Sequence, residues 1–212
     1  MTSTAVSAQG SKLEISGSAG VAKNITGMPL GFPTILLSAA HSFSNGDIVD
    51  FGGLTGNTTL NGQTAVVKNV TAGTYAVDID TTGGQAYVNG GSATPTLWTK
   101  IKNLLTFKGF DGQANEIDTT DMDSTAREFM LGLQDFGHFT FDVNKDFADP
   151  GQLAVDAAKR SGALKQFKLT APNGKTKTFS GYVKNSPLDG GVDQALKVTG
   201  ISIRISGDVV DA

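Results

Sequence analysis

Cysteine is absent from the 212-residue chain, and tryptophan and tyrosine are scarce, with one and three residues. A chain without cysteine has no disulfides, thiolate nucleophiles, zinc fingers or iron–sulfur clusters, which fits assembly in a reducing cytoplasm. No apolar run approaches the roughly 18 residues of a membrane span, and the first ten residues lack the basic and apolar segments of a signal peptide. We therefore expect a soluble protein with no membrane span that is not secreted by a classical signal.

Glycine is abundant, and small residues that favour β-strands and turns occur in runs. The 27 glycines, together with strings of Thr, Val and Ser, favour many short strands and turns over a helical bundle. A hydrophobic content of 39% is enough to fill one sizeable core or two small ones. The composition predicts a mainly β protein.

Charge is distributed unevenly along the chain, although the formal net charge is only −3. Residues 111–149 hold ten Asp and Glu against two Lys and Arg, whereas residues 150–184 hold seven Lys and Arg against one Asp. A negative net charge argues against a generic nucleic-acid binder. The two blocks suit either complementary surfaces for self-association or an ordinary mixed surface.

A second shift in composition separates residues 23–94 from the flanking sequence. This segment carries six charged residues in 72, and its Asn45-Gly46, Asn61-Gly62 and Asn89-Gly90 pairs are typical hairpin signals. We predict a small all-β barrel module at 23–94, inserted into a discontinuous β domain made of 1–22 and 95–212. The spacing of "HSFSNGDIVDFGGLTGNTTLNGQTAVVKNVTAGTYAVDI" resembles the first catalytic-cysteine half-domain (FCCH) of ubiquitin-activating enzymes, over roughly residues 33–91. No ubiquitin chemistry is carried over, because the chain has no cysteine.

Alternating patterns outside the module predict further strands. The segment 138–147 is expected to turn one face to the core, namely Phe139, Phe141, Val143 and Phe147. Ile201, Ile203 and Ile205 mark the buried face of the last long strand, and Asn173-Gly174 is expected to form a hairpin turn.

Two helices are also predicted. In the first, Thr125 and Glu128 have capping-box spacing, and Gly137 supplies the stop. Its apolar positions have helical spacing: Ala126, Phe129, Met130 and Leu133. The second helix has Asp149 as its N-cap, Pro150 at the first position and Gly162 after the end, with Leu153, Ala154 and Ala157 on its inner face.

An acidic cluster precedes the first predicted helix and is a candidate metal or catalytic site. The cluster comprises Glu116, Asp118, Asp121 and Asp123. A calcium loop starting at Asp121 would need glycine at Ala126 and glutamate at Gly132, so the match fails twice. Neither a sugar-binding aromatic platform nor a neighbouring histidine supports a hydrolase site. We therefore expect no catalytic residue, no metal and no cofactor, and we interpret the carboxylates as a helix start.

The order of these elements resembles the tail tube proteins, or major tail proteins, of bacteriophages with long non-contractile tails. The resemblance is carried by "FDGQANEIDTTDMDSTAREFMLGLQDFGHFTFDV", "ADPGQ" and "VTGISIRISGDV", and it spans about 140 residues outside the insert. It implies a β-sandwich or barrel with flanking helices. It also implies a structural virion protein whose hexameric rings stack into the tube that conducts DNA during ejection.

The resemblance implies further partners and a set of interface residues. Partners would be the chain itself, the tape measure, tail terminator and distal tail proteins, and DNA that passes without specific binding. Assembly would occur in the host cytoplasm, and the product would be the virion tail. Candidate subunit-interface residues are Asp121, Asp123, Phe129, Met130, Leu133 and Phe136.

Two alternatives stay open at the level of sequence. In one, the module at 23–94 recognises a host surface or glycan, and the remainder is a scaffold. In the other, a hydrolase site joins some of Asp118, Asp121, Asp123 and His138.

Overall fold

The computed structural model describes residues 5–212, which form sixteen strands and one helix. In chain order these are β1 (Lys12–Ala19), β2 (Lys23–Asn24), β3 (Thr34–Leu37), β4 (Ile48–Thr55), β5 (Thr64–Val66), β6 (Thr74–Val77), β7 (Asn89–Ile101), β8 (Leu104–Gly109), β9 (Ala114–Asp118), β10 (Phe129–Gln134), β11 (His138–Asn144), α1 (Pro150–Ser161), β12 (Lys165–Thr170), β13 (Thr176–Asn185), β14 (Leu188–Asp189), β15 (Lys197–Ile205) and β16 (Val210–Asp211). The protein is mainly β, as the sequence predicts.

The chain forms two compact units. The first comprises the described residues up to Ile101, together with Gln166–Thr178 and Val210–Ala212. The second comprises Lys102–Lys165 and Phe179–Val209.

The first unit contains an antiparallel sheet in the strand order β5-β4-β7-β1-β12, and the short β2 also pairs with β7. Strands β3 and β6 pair separately. Asn173-Gly174 forms the predicted turn between β12 and β13. There Gly174 has a φ of 83°, which favours glycine, and the Asn173 side chain accepts a hydrogen bond from Lys175 N.

The segment 23–94 has an apolar cluster of its own within this unit. The members are Ile25, Met28, Leu36, Phe43, Val49, Phe51, Leu54, Leu60, Val67, Tyr75, Val77 and Ala93. All of them fall inside the module boundaries predicted from the sequence. Asn61-Gly62 forms a turn between β4 and β5, and the Asn61 amide bonds both the N–H and the carbonyl of Leu54. Asn89-Gly90, in contrast, opens β7 opposite Thr55 and Leu54, so the hairpin expected there is wrong.

The second unit contains the antiparallel order β13-β15-β11-β8, with β14 on β15. Phe139 and Phe141 are buried as predicted, and Phe139 lies at the centre of an aromatic cluster with ring centroids 5.1 Å from Phe179 and 5.2 Å from Phe110. The predicted burial of Ile201, Ile203 and Ile205 is also confirmed. Phe147 lies beyond the end of β11 and is exposed, so its predicted place in the core is wrong.

Helix α1 has the predicted caps but a different buried face. The Asp149 carboxylate accepts from Gln152 N, and Gly162 ends the helix with a φ of 61°. Gly151, Gln152, Val155 and Ala158 are buried, whereas Leu153 is exposed. The reason is Gln152, whose side chain donates to the carbonyls of Lys102 and Asn144 and accepts from Asp146 N, and so turns this face inward.

Two further expectations are wrong. Residues 125–137 form no helix; Phe129–Gln134 is strand β10, because it pairs with β9 across a loop of polar residues. The described residues also contain no closed barrel, and α1 is their single helix.

Candidate self-assembly surface

A two-stranded hairpin leaves the second unit between β8 and β11, and we call residues 112–136 the arm. Its strands β9 and β10 pair Phe129 with Asp118, Met130 with Ile117 and Leu131 with Glu116. The register then shifts before Gln134, which pairs with Ala114, so β10 contains a bulge. The two strands form a sheet of their own, and each has one edge without a strand partner among the described residues.

The base of the arm is fixed by ring packing and backbone hydrogen bonds. Phe110 has a φ of 63°, a conformation that costs a non-glycine residue about 1 kcal/mol. Its ring packs edge-on against Phe179 at 5.3 Å, and its N–H donates to the carbonyl of His138 at 3.0 Å. At the other leg, Gly137 has a φ of 76°, and a Cβ there would lie 2.6 Å from Gly112 N. The two legs therefore cross so closely that only glycine fits at residue 137.

Two carboxylates complete this base. The Asp111 carboxylate accepts from His138 N at 2.7 Å, and the Asp135 carboxylate accepts from Gly137 N at 2.8 Å and from Arg204 Nη2 at 2.7 Å. The hydrogen bond from His138 N lowers the pKa of Asp111. The bonds from Gly137 N and the Arg204 guanidinium lower the pKa of Asp135. Both groups are therefore held in the charged form that accepts these bonds.

Three residues of the acidic cluster, Asp118, Asp121 and Asp123, lie at the tip of the arm, where Asp118 and Asp121 accept hydrogen bonds in turns, while Glu116 lies on β9 opposite Leu131. Asp118 accepts from Thr120 N at 2.9 Å, and Asp121 accepts from Asp123 N at 2.9 Å and from the Ser124 hydroxyl at 3.1 Å. Bonds from the Thr120 hydroxyl and N–H lower the pKa of Asp118, and the bond from Asp123 N has the largest effect in lowering that of Asp121. Such local bonds compete with helix formation, which explains why the predicted helix start is wrong.

Three other carboxylates on the arm accept no such hydrogen bonds within the described residues. Glu116, Asp123 and Glu128 have no hydrogen-bond or salt-bridge partner for their carboxylates anywhere in residues 5–212. Among those residues no group of three or more His, Cys, Asp or Glu could hold a metal ion. The tip thus presents free negative charge to solvent.

Large apolar side chains cover both faces of the arm. Phe129 and Leu131 lie on one face and are 51% and 73% exposed, while Met130 and Ile117 lie on the other and are 55% and 48% exposed. Leu133, in the bulge, is 88% exposed. An exposed apolar cluster of this kind on a two-stranded ribbon is a candidate interaction surface, because a lone hairpin is marginally stable in water.

The structure gathers the six predicted interface residues in and around this arm. Phe129, Met130 and Leu133 lie on β10, Asp121 and Asp123 lie at the tip, and Phe136 is half-buried at the base. Sequence reasoning missed Leu131 and Ile117, because a helical reading gives Leu131 no place on the apolar face. A strand interpretation would have found Leu131, since the adjacent apolar residues Met130 and Leu131 give a strand two apolar faces. Ile117 is identified only by its pairing with Met130 across the hairpin. His138 lies at the base of the arm beside Arg204, so the hydrolase cluster with Asp121 and Asp123 is not assembled within the arm.

Comparison with known families places this arm inside a matched region. Residues 77–177 match the family model described as "Phage tail tube, TTP, lambda-like". The match includes β9, β10, β11, α1 and β12, and it supports a structural role in a phage tail and a location in the virion tail. A tail tube subunit is a structural component that assembles with itself and with other tail proteins.

The preceding segment matches a second family model. Residues 31–96 match "Ubiquitin-activating enzyme E1 FCCH domain", which overlaps the first match at 77–96. The sequence resemblance of 33–91 to this domain is thereby confirmed. No curated protein matches the chain. Within residues 5–212 the single helix is too short and too polar to cross a membrane.

Proposed function

We propose that the protein assembles with itself into stacked, hexameric rings that form the tube of a phage tail, and that DNA passes through this tube during ejection. The observation that carries the proposal is the arm, which carries exposed apolar side chains on both faces and, within residues 5–212, has no strand partner at either outer edge. A surface that is apolar on one face binds one partner. An arm that is apolar on both faces must insert between surfaces to be covered.

The energetics of the arm favour such insertion. Fully burying one large apolar side chain stabilises a contact by about 1.5–3 kcal/mol. Phe129, Leu131, Met130 and Ile117 are each about half exposed or more, so their burial stabilises assembly by several such amounts before the entropy of association is subtracted. A contact between the arm and a different patch of the next copy is heterologous, and repeated heterologous contacts close into rings or propagate into tubes.

The charge of the chain fits the same role. A lumen wall with a negative or neutral net charge does not bind DNA phosphates. A basic wall would bind them through counterion release and stall the passage of DNA. The net charge of −3 agrees with a conduit that binds no DNA. Assembly takes place in the host cytoplasm, with the tape measure, tail terminator and distal tail proteins setting the length and ends of the tube.

The proposal extends to the domain organisation. Residues 23–94 are a module inserted into the tail-tube domain of 1–22 and 95–212, and the self-contained apolar cluster supports this boundary. The module projects from the outside of the tube, because a body of that size would block the lumen.

The first test is negative-stain electron microscopy across a concentration series, paired with native mass spectrometry. We expect hexameric rings or hollow tubes from the unmodified chain. A double variant, Phe129→Ser with Leu131→Ser, removes one apolar face of the arm, and Met130→Ser with Ile117→Ser removes the other. Each is expected to abolish tubes while the monomer stays folded, because the arm extends out of the folded unit.

A matched control is available in the same unit. Val192 is 92% exposed in the loop before β15, so Val192→Ser also removes an exposed apolar side chain but leaves the arm intact. Tubes from this control and none from the arm variants support the proposal. Tubes from both arm variants would refute the role of the arm, and a monomer at every concentration would favour the second candidate function.

That second candidate is recognition of a host surface or glycan by the module. It is favoured by exposed apolar residues on and before β3, namely Leu30, Phe32, Ile35 and Leu37. Binding of the chain to host envelope fractions that is lost in Phe32→Ser, with tubes retained, would assign this role to the module.

A further inference from the structure

A buried lysine with two carboxylates lies in the first unit, away from the arm. Lys168 on β12 and Glu14 on β1 are direct cross-strand partners, and Lys168 Nζ lies 3.5 Å from Glu14 Oε2. Asp47 Oδ1 lies 2.8 Å from the same nitrogen. Lys168 is only 6% exposed.

The position of Asp47 is fixed by the turn that precedes β4. Thr178 Oγ1 donates to the carbonyl of Gly46 at 3.1 Å, which ties the turn to β13. Asp47 Oδ2 accepts from Ser44 N at 2.8 Å, so the carboxylate is oriented with its other oxygen, Oδ1, toward Lys168. Asp47 Oδ2 is therefore hydrogen-bonded within the turn, and Asp47 Oδ1 contacts Lys168 Nζ.

The charges of this triad do not balance. One ammonium faces two carboxylates, and removing such groups from water is unfavourable unless their charges are fully compensated. The Trp98 ring centroid lies 4.8 Å from Lys168 Nζ, a cation–π contact that covers one side of the amine. Lys12 and Lys100 flank Glu14, Lys12 as a neighbour in the adjoining cleft and Lys100 as its cross-strand partner on β7. Transfer of a proton from the ammonium to Asp47 would remove two of the three charges.

From this geometry we propose that Lys168 and Asp47 condense to an intramolecular amide, an isopeptide bond, with Glu14 relaying the proton. The Lys168 ammonium gives one proton to Asp47 Oδ1, which yields an amine and a carboxylic acid. The amine nitrogen attacks Asp47 Cγ, Glu14 takes a proton from that nitrogen and returns it to Oδ1, and the Cγ–Oδ1 bond breaks. One water leaves, Glu14 is regenerated, and no oxidant or reductant is needed.

Two features make the condensation feasible. Reacting groups held in contact have effective molarities of about 10⁵–10⁸ M, which offsets the unfavourable equilibrium of amide formation from free groups in water. The departing oxygen is the one that faces Lys168, and Asp47 Oδ2 becomes the amide oxygen and keeps its bond from Ser44 N. The open cleft beside Glu14 and Lys168 gives the released water an exit.

The bond would join residues 121 positions apart, within a chain that has no cysteine. It would join the turn before β4 to β12 covalently, a constraint that disulfides supply in other proteins. The proposal does not depend on tube formation, because the reaction takes place within one copy.

The test is intact-mass spectrometry of the denatured full chain, followed by peptide mapping. The expected result is a mass one water below that of the sequence and a branched peptide joining the segments around Asp47 and Lys168. The branched peptide decides, because an Asp-Gly pair such as Asp111-Gly112 also loses water when it cyclises to a succinimide.

Three variants separate the proposal from a plain ion pair. Lys168→Arg keeps the cation but supplies a far weaker nucleophile, Asp47→Ala removes the acid, and Glu14→Gln removes the relay. Each variant is expected to show the full mass of its own sequence and no branched peptide. Circular dichroism checks that Lys168→Arg is folded. A folded wild-type chain at full mass would overturn the proposal. A wild-type loss of one water that maps to no branched peptide, and that persists in Lys168→Arg, would do the same. A Glu14→Gln chain that cross-links as completely as wild type would overturn the role of Glu14.

Discussion

His41 is a histidine whose two ring nitrogens are both used within the first unit. Phe43 N donates to Nδ1 at 3.0 Å, so the hydrogen of the neutral ring lies on Nε2, which donates to the carbonyl of Thr71 at 3.0 Å. The ring also packs against Phe43 and Tyr75 at 5.0 Å and 5.3 Å. This residue is therefore structural.

Replacing His41 tests that role. His41→Leu replaces the ring with an apolar side chain of similar size, which leaves Phe43 N and the Thr71 carbonyl without their hydrogen-bond partner. Each unsatisfied group is expected to lower the unfolding free energy by about 1–3 kcal/mol. We expect a loss of unfolding free energy of that order, measured by urea denaturation. His138→Leu is the control, since His138 is only partly buried, and an equal loss there would contradict the prediction.

The two carboxylates at the base of the arm predict a dependence on pH. Folding lowers the pKa of Asp111 and of Asp135, because both accept backbone N–H bonds. The stability they add is therefore complete above the ordinary aspartate pKa of about 3.9 and is lost as the pH falls through the lower folded value. We expect the Tm to fall in acid, and to fall less steeply in Asp111→Asn with Asp135→Asn, as measured by circular dichroism between about pH 6 and pH 2. Parallel curves for the two proteins would show that other groups dominate acid unfolding.

At the scale of elements, the sequence predicts best where one local pattern decides. Alternation places Phe139 and Ile203 in the core, and the Asp149, Pro150 and Gly162 signals define α1. The arm could not be predicted in the same way, because its apolar positions fit a helix and its polar residues fit a cap. Residues 129–134 form a strand and not a helix because they pair with β9 and because hydrogen bonds form the turn at the tip. A local sequence pattern does not show either kind of contact.

The cap of α1 gives an element-level prediction. The Asp149 carboxylate is 1% exposed and accepts from both Gln152 N and Lys102 N, at 2.9 Å and 3.2 Å. Asp149→Ala leaves both donors unpaired, and we expect it to cost about 1–2 kcal/mol of unfolding free energy in urea. Asp149→Asn keeps an acceptor and is expected to cost less. A reversed order would show that the charge of Asp149 is unfavourable in its buried position.

At the scale of the whole molecule, salt distinguishes assembly through the apolar faces of the arm from attraction between the charged blocks. Raising the ionic strength from about 0.01 M to 1 M shortens the Debye length from about 30 Å to 3 Å and weakens contacts of the acidic tip with basic residues. Apolar burial is not screened. If the apolar faces dominate, we expect tubes to persist at high salt, as judged by light scattering and electron microscopy. Dissolution of tubes at high salt would assign the main contact to charge.

The asparagine turns of the first unit set a limit on the chemical lifetime of the protein. An Asn-Gly pair loses ammonia when the following backbone nitrogen attacks the side-chain amide, and the product carries a new negative charge. Asn61 holds its amide with two hydrogen bonds to Leu54, whereas Asn173 has a single bond in an exposed turn. Stored particles will therefore accumulate deamidation at Asn173 before Asn61, so the ratio of the two products records the age of a preparation.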